Sequence, residues 1–167
     1  MQYKIRLTEL EEKDRLLALY GSMIGMQGCT WSEHYPNIEI IEWDIESKNV
    51  YCLYGDGGEI IAAASVCKYD DGGLNEVECY KNAGKWAEFA RIAVNKDFQN
   101  QGFAKILLKH IIEILKNQGF GSIRLLVSES NITAVALYEK LGFEKCGEVC
   151  MYDHDWLCYE FILPQKN

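Results

Sequence analysis

The chain has 167 residues, 49% of them hydrophobic, enough for a sizeable core, and residues 1–167 are expected to form a single domain. Its 17 basic against 25 acidic side chains leave a net charge of −8, which argues against a nucleic-acid partner and either suits a cationic small molecule or simply keeps the protein soluble. No apolar run approaches the ~20 residues that cross a bilayer, so no membrane partner is expected.

Met1-Gln2-Tyr3-Lys4-Ile5-Arg6 lacks the apolar centre of a signal peptide, and Tyr3 to Leu7 alternates as a first strand. Thr8, followed three residues on by Glu11, reads as a capping box. The helix it opens carries Leu10, Leu16, Leu17 and Tyr20. Residues 21–36 are irregular and aromatic. A second helix is expected over 37–47, where Ile38, Ile41 and Ile45 recur at helical spacing. Val50–Tyr54 and residues 60–69 read as strands joined by Gly55-Asp56-Gly57-Gly58, a strong hairpin signal. An acidic loop over 70–84 leads to a strand at Trp86–Val94.

Gln99-Asn100-Gln101-Gly102-Phe103-Ala104 follows that strand and opens an amphipathic helix over 105–117, with Ala104, Leu107, Leu108, Ile111, Ile112 and Leu115 on one face and Gly119 as its stop. A strand, a glycine turn and a helix start together make a phosphate cradle. The unpaired N–H groups of the first helical turn point outward, the dipole favours negative charge, and Gly102 lets an anion approach the backbone. Ser122–Val127 is the next strand. Residues 131–141 form a helix with Ala134, Leu137, Tyr138 and Leu141 on one side and Gly142 as its left-handed stop. Residues 145–163 read as two closing strands around Asp153-His154-Asp155. The three N-terminal strands should be antiparallel, and the strand–helix–strand unit 86–127 should make a parallel, right-handed crossover.

The seven cysteines (29, 52, 67, 79, 146, 150 and 158) are odd in number and scattered, and read as reduced thiols of a cytoplasmic protein. Cys146 and Cys150 are four apart, but no nearby pair completes a metal site. His34, His110 and His154 show no metal or triad spacing, so no metal is expected.

Two motifs resemble those of the GNAT-type acyl-CoA N-acyltransferases. The family's Q/R-x-x-G-x-G/A turn is matched by Gln99-Asn100-Gln101-Gly102-Phe103-Ala104. Its second signature, an Asn, an Ala, then a Tyr followed by Gly-Phe, is matched by Asn131, Ala134, Tyr138 and Gly142-Phe143. The match is sharp over about 86–143. Ala104 stands where many members have glycine, and Phe103 is bulkier than the usual small aliphatic residue. The resemblance implies an α/β (α+β) fold: a mixed, mostly antiparallel seven-stranded sheet, helices on both faces, and a splayed central cleft. It also implies acetyl-CoA as co-substrate. The pantetheine arm would pair with the strand edge at Ile92, Ala93 and Val94, and a backbone N–H of that strand would form the oxyanion hole. The pyrophosphate would lie over Gln99, Asn100, Gln101, Gly102, Phe103 and Ala104. Asn131 and Ala134 would hold the arm, and Lys105 and Lys140 would neutralise phosphate.

Acetyl transfer from a thioester to an amine needs a neutral amine, a stabilised oxyanion and a protonated leaving thiolate. An alkylamine has a pKa of ~10.4, so its proton must be removed. Glu88 is the candidate base, with ordered water as the alternative; alternation puts Glu88, Ala90, Ile92 and Val94 on one strand face and Arg91 on the other. Tyr138 is the candidate acid, because similar proteins aim this hydroxyl at the acyl-CoA sulfur. The amine's pocket is expected from residues 21–36, the 70–84 loop and the closing hairpin, with Trp31, Glu33, Tyr35, Asp70, Asp71, Glu76 and Trp156 as candidate liners. The expected function is N-acetylation of a small-molecule amine. A protein N-terminal or lysine acetyltransferase and a non-catalytic acyl-CoA sensor remain as alternatives. Analogy also allows a homodimer built on the C-terminal strands.

Overall fold

The computed structural model describes residues 1–68, 74–81 and 84–165. Strands β1 (Lys4–Leu7), β2 (Val50–Tyr54), β3 (Ile60–Cys67) and β4 (Trp86–Val94) pair antiparallel in that order. β5 (Ser122–Val127) lies parallel to β4. β7 (His154–Ile162) and then β6 (Glu144–Met151) complete a seven-stranded sheet in the order β1-β2-β3-β4-β5-β7-β6. Helix α3 (Phe103–Asn117) is the β4–β5 crossover, and α4 (Ile132–Leu141) joins β5 to β6.

Two faces of the sheet are covered by two sets of helices. α3 buries Leu107, Leu108, Ile111, Ile112 and Leu115 against Leu53, Ala62, Ala64, Val66 and Phe89, the largest apolar cluster. Each such side chain contributes roughly 1.5–3 kcal/mol on burial. On the opposite face, α1 (Lys13–Gly21) and α2 (Ile38–Glu46) bury Leu16, Tyr20, Ile41 and Ile45 against Cys52, Ala63 and Ala93. β2 and β3 are buried along their whole length because helices press on both sides.

Several boundaries differ from expectation. α3 begins at Phe103, two residues early, because Gly102 takes a left-handed conformation (φ +83°) and turns the chain straight into the helix. β3 ends at Cys67 rather than 69. The last turn is Tyr152-Asp153, both at positive φ, so His154 and Asp155 belong to β7.

Thr8 does not cap the first helix. Its N–H donates to Val50 O (3.0 Å) as a further rung of the β1–β2 ladder, and its hydroxyl donates to Cys52 Sγ (3.0 Å). The box forms one residue later, where Glu9 caps a 3-10 turn at Leu10–Glu12 and the Glu12 carboxylate accepts from Glu9 N–H (2.9 Å). That carboxylate also takes both prongs of Arg6 (2.9 and 3.0 Å) and the Tyr54 hydroxyl (2.9 Å).

Burial alone would raise the Glu12 pKa. The hydrogen bonds from Arg6, Glu9 and Tyr54 outweigh it and hold the group at about 2, below its ordinary 4.5. A depressed carboxylate stabilises the fold above its unfolded value, and that contribution drains away as pH falls from about 4.5 toward about 2. Glu12→Gln should therefore melt below the wild type near neutral pH, with the gap narrowing through this acid range. Thermal melts against pH check it; a gap of constant size across the range contradicts it.

Candidate active site

β4 and β5 run together only briefly. Trp86, Ala87 and Glu88 pair with Ser122, Ile123 and Arg124. Beyond Glu88 no further rung links the two strands among the described residues, while β5 stays paired with β7 out to Val127. The sheet opens there as a V, and the border of β4 from Phe89 to Val94 faces the gap with its backbone groups free of β5. Glu88 stands at the vertex.

A bulge shapes this border. β3 opposes β4 in one register at Ser65–Ala90 and in another at Ala63–Ala93, so Arg91 and Ile92 share a single partner position, and Arg91 sits at φ +48°. The extra residue flips the alternation. Ala87 and Phe89 pack under α3, and beyond the bulge so do Ile92 and Val94, whereas Ala93 joins the α1–α2 cluster. Glu88 and Ala90 therefore do not share a face with Ile92 and Val94, contrary to strict period two.

The gap widens into a cleft of about 1740 Å³. One wall holds Ile92, Ala93 and Val94 and runs on to Gln99, Asn100, Gly102, Phe103, Ala104 and Lys105. Gln99 turns its amide back to donate to Val94 O (3.2 Å), tying the turn to the strand end. A Cβ built on Gly102 would meet nothing, so this glycine is required for its φ rather than for clearance. No side chain caps the N-terminus of α3, and its first-turn N–H groups are left to the cleft. Phe103 is buried edge-on against Phe98 and Tyr3 (ring centroids 6.0 and 6.4 Å apart). Gln101 does not line the cleft; its amide donates outward to Asp97 O (3.3 Å).

The facing wall belongs to α4. Asn131 caps it, accepting from Ala134 N–H (3.2 Å), and Ala134, Tyr138 and Lys140 line the cleft. The Tyr138 ring rests on Phe143 (5.8 Å), and its hydroxyl has no hydrogen-bond partner among the described residues. Burial pushes this phenol's pKa upward, so it stays protonated as a donor.

The far end of the cleft is aromatic. Trp31, Tyr35 and Trp156 line it, joined by Trp43 and Tyr152, which showed no motif. Trp31 packs on Tyr20 (5.2 Å), and Trp156 donates to Met151 O (2.9 Å). Glu33 is not there; its side chain is 84% exposed and pairs with His34 (3.3 Å). Glu76 is exposed and away from the cleft, and the segment from Leu74 to Tyr80 packs against Cys158 instead. Asp70 and Asp71 lie outside the described residues.

Two features had no local signal. Arg91 makes a two-pronged ion pair with the fully buried Asp44 of α2 (2.7 and 2.8 Å), donates to the Tyr35 hydroxyl (3.1 Å) and sits near Cys67 Sγ (3.3 Å). His154 lines the cleft and meets Ser128 Oγ (3.2 Å) at the end of β5. Charge in the cleft is sorted. Lys105 and Lys140 stand on the α3–α4 side, and Glu39, Glu88 and Asp153 on the other, while Arg91 is compensated by Asp44. An anion fits the first side and a cation the second. Among the described residues no group of three or more His, Cys, Asp or Glu is placed to hold a metal, and no helix is long and apolar enough to cross a membrane.

A sequence model of the acetyltransferase (GNAT) family matches residues 14–143. The chain belongs to this family. Over 59 residues, 35% of this chain, it is 44% identical to the ribosomal protein bS18 alanine N-acetyltransferase of Escherichia coli, and the match spans 40% of that relative's length. Its backbone is similar to a GNAT-family acetyltransferase from Streptococcus agalactiae, with a TM-score of 0.81 and 25% identity over 98% of this chain and 96% of that one. A phosphinothricin acetyltransferase from Sinorhizobium meliloti, solved in complex with acetyl-CoA, shares the GNAT fold at a TM-score of 0.75 and 16% identity, covering 98% and 89% of the two chains.

Proposed function

We propose that this protein moves an acetyl group from acetyl-CoA to the primary amine of a small molecule, with both substrates held in the cleft at once. The observation that carries this reading is the border of β4 unpaired with β5 beside the uncapped start of α3, with Tyr138 lining the same cleft. Acetyl-CoA supplies the activated acetyl thioester. The first-turn N–H groups of α3 and the ammonium groups of Lys105 and Lys140 would hold its phosphates. The backbone groups from Ile92 to Val94 that β5 leaves unpaired, apart from the Val94 carbonyl that accepts from Gln99, would pair with its amides and offer an N–H to the acetyl oxygen. Asn131 and Ala134 bound the arm from α4.

Glu88, directly or through a water, would take the amine's proton, and Tyr138 would donate a hydrogen bond to the departing sulfur and then its proton. Acids and rings at the far end suit an ammonium-bearing acceptor. Met23 and residues 26–31 line the cleft, and Gly28 lies so close to Asn131 that an added Cβ would come within 2.5 Å of its Cα. This segment thus reaches across to α4 and narrows the mouth, which favours a small acceptor. A second reading is a protein amine, supported by the 44% identical stretch shared with an enzyme whose name gives an alanine of a ribosomal protein as acceptor.

Release of free thiol from acetyl-CoA, measured with a panel of small primary amines and with peptides bearing free N-termini, tests the two. Acetylated small amines support the first reading and acetylated peptides alone the second. Tight acetyl-CoA binding by calorimetry with no release on either panel would make the protein a non-catalytic sensor.

A further inference from the structure

Away from the cleft, three thiols converge where the segment before β4 crosses the β6–β7 hairpin. Cys79 Sγ lies 3.3 Å from Cys146 Sγ, 67 positions later in the sequence, and Cys146 Sγ is 3.4 Å from Cys158 O. This approach is built into the backbone. β6 pairs with β7 at Lys145–Tyr159 and again, after a slip, at Gly147–Cys158, leaving Cys146 as the unpaired bulge residue. Gly147 completes the arrangement, since a Cβ there would stand 2.9 Å from Cys79 Cβ and 3.2 Å from its sulfur. Both cysteines are half-buried, within reach of a small reagent.

We propose that Cys79 and Cys146 are a modification site: a reversible disulfide pair that staples the segment before β4 to strand β6. The oxidant is a low-molecular-weight disulfide of the glutathione type. The Cys79 thiolate attacks one of its sulfurs, forming a mixed disulfide and releasing one small thiol. Cys146 loses its proton to solvent, and its sulfur displaces the second small thiol. Two protein S–H bonds and one small-molecule S–S bond are consumed; one protein S–S bond and two small-molecule S–H bonds appear. The sulfurs must close from 3.3 Å to ~2.05 Å. Burial and the adjacent Cys79 thiol push the Cys146 thiol up. The stapled segment is already tied to the sheet beside the cleft vertex, through Tyr80 Oη to Leu125 O (2.8 Å) and Lys81 N–H to Glu160 (2.9 Å), so the bond would fix what is already docked there.

The test is peptide mapping of the full chain after treatment with glutathione disulfide and alkylation of the remaining thiols. A cross-linked peptide joining Cys79 to Cys146 is expected, reversed by dithiothreitol and absent in Cys146→Ser. Gly147→Ala retains both thiols but displaces Cys79, and its cross-link yield should fall several-fold. The oxidised wild type should melt at a higher temperature than the reduced. Alkylated Cys79 and Cys146 with glutathione only on the exposed Cys150, or a cross-link from Cys79 to Cys158, would overturn the proposal.

Discussion

Asp44→Ala is expected to cost about 3–5 kcal/mol of folding stability, the range for stripping one partner from a buried ion pair. Asp44 is fully buried in α2, and each of its oxygens is engaged: one by Arg91 Nη2 (2.8 Å), the other by Arg91 Nε (2.7 Å) and the Ser65 hydroxyl (2.9 Å). The Arg91 side chain is only 11% exposed, so without Asp44 its guanidinium is a charge with little water to receive it. Arg91 is also the bulge residue of β4, held at φ +48° where a non-glycine residue is strained. Asp44 thus clamps the strand whose border forms the cleft, and the loss should reach activity as well as stability. The double variant Asp44→Ala/Arg91→Met should recover a large part of the stability, because no unpaired charge remains. Denaturant unfolding of the single and double variants measures this. A single variant as stable as the wild type would show that the pair does not hold the bulge.

Tyr138→Phe is expected to lower kcat about 10²-fold or more, the range for removing a proton donor, while KM for acetyl-CoA and Tm stay near wild type. The split follows from the hydroxyl's position. The ring packs on Phe143 and is retained in the variant, and the hydroxyl satisfies no other group among the described residues, so its removal leaves the fold intact. Burial raises the phenol's pKa, which makes it a reluctant acid but a dependable hydrogen-bond donor to a developing thiolate. Steady-state kinetics on whichever acceptor proves active separates kcat from KM. A kcat within twofold of wild type would remove Tyr138 from the mechanism.

What was legible in the chain were features that local chemistry dictates. The turn at Gln99 to Ala104 needs a left-handed residue, and only glycine takes that conformation without strain; Gly102 stands there at φ +83°. Asn131 caps α4 through its side chain, and the apolar stripe of α3 is buried as its spacing required. What was not legible depends on contacts distant in sequence. The β4 bulge falls on Arg91, an ordinary residue that marks no irregularity, so the alternation could only be read as unbroken. The partner of Arg91, Asp44, lies 47 positions earlier in a helix whose spacing looks merely amphipathic. Gln101 was read into the cleft through its motif and Glu33 as an acid of the 21–36 segment, but the Gln101 amide donates to Asp97 O and the Glu33 side chain is exposed beside His34. His154 lies in β7 and lines the cleft because the hairpin turn is Tyr152-Asp153 rather than the Asp153-His154-Asp155 run.

The central claim, that acetyl-CoA lies along the free border of β4 with its diphosphate on the start of α3, is tested most directly by a crystal structure of the protein grown with acetyl-CoA. The account predicts diphosphate oxygens over the N–H groups that follow Gly102, pantetheine amides paired with the backbone between Ile92 and Val94, and the sulfur within hydrogen-bonding reach of Tyr138 Oη. Acetyl-CoA bound elsewhere, or β4 and β5 zipped together past Glu88 with the V closed, would contradict it.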